Sequence, residues 1–272
     1  MEMISLFSGC GGMDLGFKQA GFNTVFANDI EPAAKKVWDN NFDIPMTTGD
    51  IRDITNFPKA SVVIGGFPCQ DFSKAGKQAG FKSSRGNLYK QFLRVVHTVK
   101  PKLFIMENVP GFLTQGGLER IKRAAQPYWI RYKVLNAADY GVPQRRKRVF
   151  FIGSREKLIF RWPTKSSMVT VREALTDVPD SKYSKAKRLD KGQGQRILPW
   201  NGVSPTIRAE HHGNIEFHPD NHRRLSVREC ARLQTFPDNF TFDSVSMSVA
   251  YRLIGNAVPV EMARQIAKGL LS

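Results

Sequence analysis

Cysteine is scarce in this chain. There are three in 272 residues, Cys10, Cys69 and Cys230, and none stands in a C-x-x-C pair. That argues against a zinc or disulfide framework and suits a reducing compartment. An apolar run long enough to cross a bilayer is also missing; the longest, such as 61–67, are strand-sized. No signal or transit pattern precedes Met3-Ile4-Ser5-Leu6-Phe7, so the chain reads as a soluble, cytoplasmic protein with no membrane partner. The dinucleotide fingerprint G-x-G-x-x-G is absent, which disfavours a pyrophosphate ligand and a nucleotide-dependent oxidoreductase.

Acidic residues are in short supply, and the shortage is local. The formal charge is +17. Residues 1–119 carry 13 Lys and Arg against 11 acids, and residues 225–272 carry 5 against 4. Residues 120–224 carry 23 against 9. A segment this one-sided points to a polyanion, and nucleic acid fits better than a membrane surface because no amphipathic apolar face accompanies the charge.

What is present is a βα alternation. Short apolar stretches at 4–7, 24–28, 62–65, 103–107, 132–136 and 149–152 read as buried strands. Residues 31–40 open a helix with Pro32 in the first turn, and 87–99 repeat apolar residues near helical period. A doubly wound, mostly parallel α/β sheet over residues 1–153 follows, with its ligand beyond the carboxyl ends of the strands. Residues 154–222 are rich in Lys, Ser, Gly and Pro and read as a small irregular lobe. Residues 223–272 return to the first domain. They open on a capping box, Ser226-Val227-Arg228-Glu229, and close on a helix at 258–271.

Five features sit where strands end, and a sixth precedes one. Phe7-Ser8-Gly9-Cys10-Gly11-Gly12 joins the first strand to a helix, where glycines let a backbone approach a ligand. Asp29 ends the second strand, and Asp50 with Ile51 ends the third; such acids accept from ribose hydroxyls or adenine. An adenosine-bearing ligand without pyrophosphate fits. Pro68-Cys69-Gln70 follows the fourth strand and Glu107-Asn108 ends the fifth, so a thiol nucleophile and a carboxyl acid would face one crevice. Gln144-Arg145-Arg146-Lys147-Arg148 leads into a further strand, and alternation puts Arg146 and Arg148 on one face. Four of the five histidines, His211, His212, His218 and His222, lie in the lobe, but nothing in their spacing supports a metal site.

These motifs, in this order, closely resemble those of the DNA (cytosine-5-)-methyltransferases. The stretch 224–232 and Gly255-Asn256-Ala257-Val258-Pro259 are similar to the last two motifs of that family. The resemblance covers 3–153 and 223–270. It implies a Rossmann-like fold dependent on S-adenosyl-L-methionine, with S-adenosyl-L-homocysteine as product. It implies transfer of a methyl group to carbon 5 of cytosine in a specific duplex DNA sequence. Cys69 would attack carbon 6, Glu107 would protonate nitrogen 3, and Arg148, supported by Arg146, would hold the base carbonyl. Phe7, Ser8, Gly9, Gly11, Gly12, Asp29, Ile30, Asp50, Ile51, Pro68, Leu88, Asn256 and Ala257 would line the cofactor site. Gln70, Ser73, Lys77, Gln78, Arg85, Gln144, Arg208 and Asn214 would meet DNA, with 154–222 as the target-recognition lobe.

The target carbon is inaccessible in a duplex, so the base must be flipped out, and the glycine-bearing stretch 73–86 suits a loop that closes over it. The default partner state is a monomer on duplex DNA, in a bacterial or phage restriction–modification system or as an orphan methylase. A cognate restriction endonuclease would not touch it. Asp71 adds a negative charge near DNA, and Ala257 stands where some relatives have a polar residue, which leaves only a backbone contact there. A tRNA cytosine methyltransferase on the same scaffold and a catalytically inactive DNA-binding regulator remain alternatives; the presence of Cys69, Glu107, Arg146 and Arg148 weighs against the second.

Overall fold

Alternation of apolar side chains along the strands sorts the protein into layers. In the computed structural model, residues 1–68, 87–157, 160–179, 196–209, 216–220 and 223–271 are described. The main sheet contains β1 (Glu2–Leu6), β2 (Asn23–Asp29), β3 (Thr47–Thr48), β4 (Val62–Gly65), β5 (Leu103–Asn108), β6 (Trp129–Asn136) and β7 (Lys147–Ser154). Their spatial order is β3-β2-β1-β4-β5-β7-β6. The pairs from β3 through β5 are parallel, whereas β7 runs antiparallel to both β5 and β6. The chain reverses direction about β1, so the crevice at the carboxyl ends of β1 and β4 is the place for a ligand.

The central strands β1, β4, β5 and β7 contribute to two cores. Met3, Val62, Ile64, Ile105, Phe150 and Ile152 point to one face, where they meet Met13 and Phe17 of α1 (Gly12–Gln19) and Met262, Ala263 and Ile266 of α9 (Val260–Lys268). Ile4, Leu6, Val63, Phe104, Met106, Val149 and Phe151 point to the other, against α3 (Leu88–Val99) and the short helices α4 (Gly111–Thr114) and α5 (Gly117–Ala124). The two-residue period of a strand requires this division. Glu107 lies two residues beyond Ile105, and Arg148 two before Phe150, so both belong to the α1–α9 face.

A third core joins α2 (Pro32–Asp39) to the later chain. Trp38 stacks on Phe42 with ring centroids 3.9 Å apart. Around them pack residues of α6 (Val171–Leu175), α7 (Val227–Leu233) and α8 (Met247–Asn256), together with Leu198 and Ile207. Part of the irregular region therefore shares a core with the flanking segments. It also holds a two-stranded parallel sheet, β8 (Arg196–Ile197) with β9 (Glu216–Phe217).

The capping box at Ser226 and Glu229 forms. The same S/T-x-x-E spacing at Thr170 and Glu173 caps α6, a signal equally present in the sequence. The third strand is shorter than expected. It stops at Thr48, and residues 51–53 turn into a single 3-10 turn capped by Asp50. Among the described residues, no helix is long and apolar enough to cross a membrane.

The C-terminal helix locks onto the first. A β-carbon added at Gly16 would lie 2.4 Å from the Val260 carbonyl oxygen and 2.6 Å from the Ala263 Cβ. Gly16→Val should therefore lower stability by about 1–3 kcal/mol or more through overpacking. A shift of the urea midpoint measures this, and an unchanged midpoint would show that α1 and α9 can separate at no cost.

Candidate active site

Register brings the acid and one arginine together. Glu107 pairs across the sheet with Phe150, and Arg148 is two residues earlier on β7, the diagonal neighbour on the same face. Arg148 Nε lies 2.8 Å from Glu107 Oε1 in an ion pair. The carboxyl is buried, 8% exposed. Burial pushes its pKa above the ordinary carboxyl value, opposed by the positive charges of Arg148 and Arg146 and by the Arg148 hydrogen bond.

The other oxygen of this acid faces the chain that leads to Cys69. A β-carbon at Gly66 would stand 2.7 Å from Glu107 Oε2. Beside it, Asn108 Nδ2 donates to the Phe67 carbonyl at 3.0 Å. The end of β5 thus holds both the acid and the backbone at Gly66 and Phe67 that precedes Pro68. Cys69 itself, with Gln70, Ser73, Lys77, Gln78, Arg85 and the loop between them, lies outside the described residues, as do Asn214 and the histidines 211, 212 and 222.

The two described cysteines are sealed in the core. Burial pushes the Cys10 thiol up to about 12 and raises Cys230 well above its usual value. Neither can supply a thiolate at neutral pH, which leaves Cys69 as the one candidate nucleophile of the three.

Gln144 and Arg146 are placed differently from the expectation of DNA and base contact. Gln144 is fully buried; its amide nitrogen donates to the Leu233 carbonyl at 3.1 Å and to Gln234 Oε1 at 3.0 Å. Its oxygen accepts from the Ile207 amide at 3.0 Å. A side chain so enclosed cannot reach DNA. Arg146 is equally buried and donates to the carbonyls of Ile207, Gly255 and Ala257, each at 2.9 Å. Its charge is felt at Glu107, but its hydrogen bonds hold backbone. Gln234 was not singled out from the sequence; the only signal was a polar residue ending an amphipathic helix.

The expected cofactor residues cluster at the carboxyl ends of β1 and β2. Phe7 and Gly9 both have φ 55° and Gly11 has φ 83°, so the chain turns sharply through the left-handed region. The glycines differ in purpose. A β-carbon at Gly11 would strike the Phe42 ring at 2.4 Å, and one at Gly12 the Val258 carbonyl at 2.4 Å; above Gly9 nothing lies within 4 Å. Gly9 alone of these leaves open space for a ligand. Asp29 accepts from the Gly9 amide at 2.8 Å and the Glu31 amide at 2.9 Å, fixing this turn. The Ser8 hydroxyl lies 2.8 Å from that of Ser5.

Ile30 is 65% exposed, an apolar side chain left open beside the turn. Ile51 is buried, and Asp50, expected to hold adenine, instead bonds the backbone and guanidinium of Arg52. Pro68 and Leu88 are half-buried, Asn256 is exposed and Ala257 is buried. The sequence reading also missed Asp14 in the first turn of α1. Both its carboxylate oxygens are buried without a hydrogen-bond partner, and burial pushes its pKa up to about 7. Among the described residues, no group of three His, Cys, Asp or Glu is placed to hold a metal ion.

The sign of the Glu107 shift yields a stability prediction. The folded state favours the protonated acid more than the unfolded state does, so stability falls as pH rises from the unfolded pKa through the raised folded one. Glu107→Gln mimics the protonated form. It should be more stable than the parent at neutral pH, with the advantage shrinking as pH falls and gone below the ordinary carboxyl pKa. Denaturation at several pH values tests this; an advantage that grows in acid contradicts the assignment.

Comparison with known proteins identifies the family. The profile of the family described as C-5 cytosine-specific DNA methylase matches residues 1–196 and 171–272. The chain is 37% identical to the Type II methyltransferase M.MthTI of Methanothermobacter thermautotrophicus, over 98% of this chain and 96% of that one. It is 33% identical to M.FnuDI of Fusobacterium nucleatum, covering 98% and 93%. A solved structure described as a putative DNA modification methyltransferase encoded within a prophage of E. coli superposes with a TM-score of 0.82 at 27% identity, covering 100% and 98%. The Entamoeba histolytica methyltransferase EhMeth shares the fold, with a TM-score of 0.83 at 19% identity over 100% and 98%. The chain belongs to the C-5 cytosine-specific DNA methylase family.

Proposed function

We propose that this methyltransferase modifies carbon 5 of a cytosine flipped out of duplex DNA, through a covalent bond from Cys69. The observation that carries the reading is the Glu107–Arg148 pair, set at 2.8 Å against the backbone that runs into Cys69. The Cys69 thiolate adds to carbon 6 of the ring while the proton of Glu107 passes to nitrogen 3. The electron pair so released makes carbon 5 nucleophilic. Burial favours the protonated form of Glu107 before the base arrives, as a general acid requires. Arg148, on the same face, orients the carboxyl and donates to the base carbonyl. After methylation, carbon 5 loses its proton and the carbon–sulfur bond breaks, returning the thiolate.

S-adenosyl-L-methionine supplies an electrophilic methyl group on its sulfonium. The residues present fit it: the open space above Gly9, the exposed apolar side chain of Ile30 for a flat base, and the first-turn amides of α1 for a carboxylate. Phe7, Ser8, Asp29, Pro68, Leu88, Asn256 and the Ala257 backbone are the further residues this reading assigns to the cofactor. Asp50 joins them by exchanging its exposed Arg52 pair for the ligand. The basic segment 120–224 lies on duplex DNA, with the exposed Arg208 at a base edge. Residues 154–222 act as the recognition lobe. The protein works in the cytoplasm as a monomer on DNA, within a restriction–modification system whose endonuclease does not contact it.

Bisulfite sequencing of DNA from cells expressing the protein should reveal protected cytosines in one recurrent sequence. Absence of protection, with methyl transfer to tRNA instead, would reverse the choice of substrate. Cys69→Ser should abolish transfer yet bind the cofactor; near-normal turnover would remove the thiol-attack step. A target duplex carrying 5-fluorocytosine should trap a denaturation-resistant complex, since fluorine cannot leave as a proton does. Glu107→Gln should lower the single-turnover rate by about 10²–10⁴.

A further inference from the structure

We propose that Arg146, with Gln144 and Gln234, is the positioning element through which cofactor binding and DNA binding strengthen each other. The inference rests on the methyltransferase reading above.

Two segments far apart in sequence meet at these side chains. One is 204–209, which ends beside the exposed Arg208. The other is the turn 254–257, which carries the exposed Asn256 on the cofactor side. Arg146 donates through Nη1 to Ile207 and through Nη2 to Gly255 and Ala257, so one guanidinium plane spans both segments. Gln144 accepts from the Ile207 amide and donates to Gln234 Oε1. Gln234 Nε2 in turn donates to the carbonyls of Ile254 at 2.7 Å and Ala257 at 3.2 Å. The backbones also touch directly, because a β-carbon at Gly255 would lie 2.3 Å from the Arg208 carbonyl carbon. Behind them, the Arg145 amide donates to the Ser204 carbonyl at 2.7 Å, and the Ser204 amide to that of Pro143 at 2.9 Å.

All three side chains are essentially inaccessible to water. Shifting either segment alone would strand buried donors and acceptors, at about 1–3 kcal/mol for each unpaired group. The segments therefore move as one body. A cofactor that orders 254–257 also orders the backbone presenting Arg208 to DNA, and DNA that fixes Arg208 orders the cofactor turn. Linkage requires the two effects to be equal in size. Neither Arg146 nor Gln234 needs to touch a ligand for this, which distinguishes them from Arg148.

The test is a coupling factor. The affinity of a fluorescent duplex carrying the methylated sequence is measured by anisotropy with and without saturating S-adenosyl-L-homocysteine. The reciprocal titration is followed by calorimetry. The wild-type chain should show the same enhancement in both directions, within the roughly 5–150-fold span typical of such couplings. Arg146→Lys, which keeps the charge but cannot span three carbonyls, should bring the factor toward one, whatever it does to the affinity for each ligand alone. Gln234→Met should lose part of it, and carries the test by itself if Arg146→Lys does not fold. A wild-type factor of one overturns the proposal, as does full coupling in the folded variants. Failure of the wild-type chain to bind either ligand alone would remove the methyltransferase reading, and the coupling with it.

Discussion

A guanidinium that is denied water must find acceptors inside the protein, and Arg146 finds three backbone carbonyls. That requirement fixes how the later chain returns to the sheet. Residues 207, 255 and 257 are brought to one point by a side chain projecting from just before β7. The end of α8 and the segment leading to Arg208 are then held around a common centre. Two residues further on, Arg148 reaches the crevice because a strand returns to the same face every second residue. One motif thus supplies an arginine that holds backbone and one that pairs with Glu107, separated only by depth.

The chemistry depends on a balance at Glu107. Desolvation favours the neutral acid, while the nearby arginines favour the carboxylate. Full burial without a cation would leave an acid too reluctant to give up its proton. A closer embrace by both arginines would leave a carboxylate with no proton to give. The register of β5 on β7 places only Arg148 in hydrogen-bonding contact and leaves Arg146 to act at a distance. The same desolvation silences Cys10 and Cys230, so burial selects the acid and excludes two of the three thiols.

Much of this was legible in the chain. Short apolar stretches marked the strands, and Asp29, Glu107 and the turn at Gly9 fell at their carboxyl ends. The capping box at Ser226 was readable from hydroxyl and carboxyl spacing alone. The reading treated Gly9, Gly11 and Gly12 alike, because nothing local tells a glycine that admits a ligand from one that admits Phe42 or Val258. Gln144 and Arg146 read as groups facing DNA and the base for the same reason. Asp14 carried no local pattern, and Gln234 only its place at the end of an amphipathic helix.

The sequence by itself determined which chemistry is available: a thiol after proline, an acid at a strand end, arginines of fixed alternation, and a basic middle third. These are properties of residue type and local period, which a chain carries before it folds. Only the tertiary structure decided which groups meet and which are hidden. Pairing of Glu107 with Arg148, withdrawal of Arg146 to Ile207, Gly255 and Ala257, and sealing of Cys10 all join residues remote in sequence. Their energies come from lost water and gained partners, quantities that exist only once distant segments are packed together.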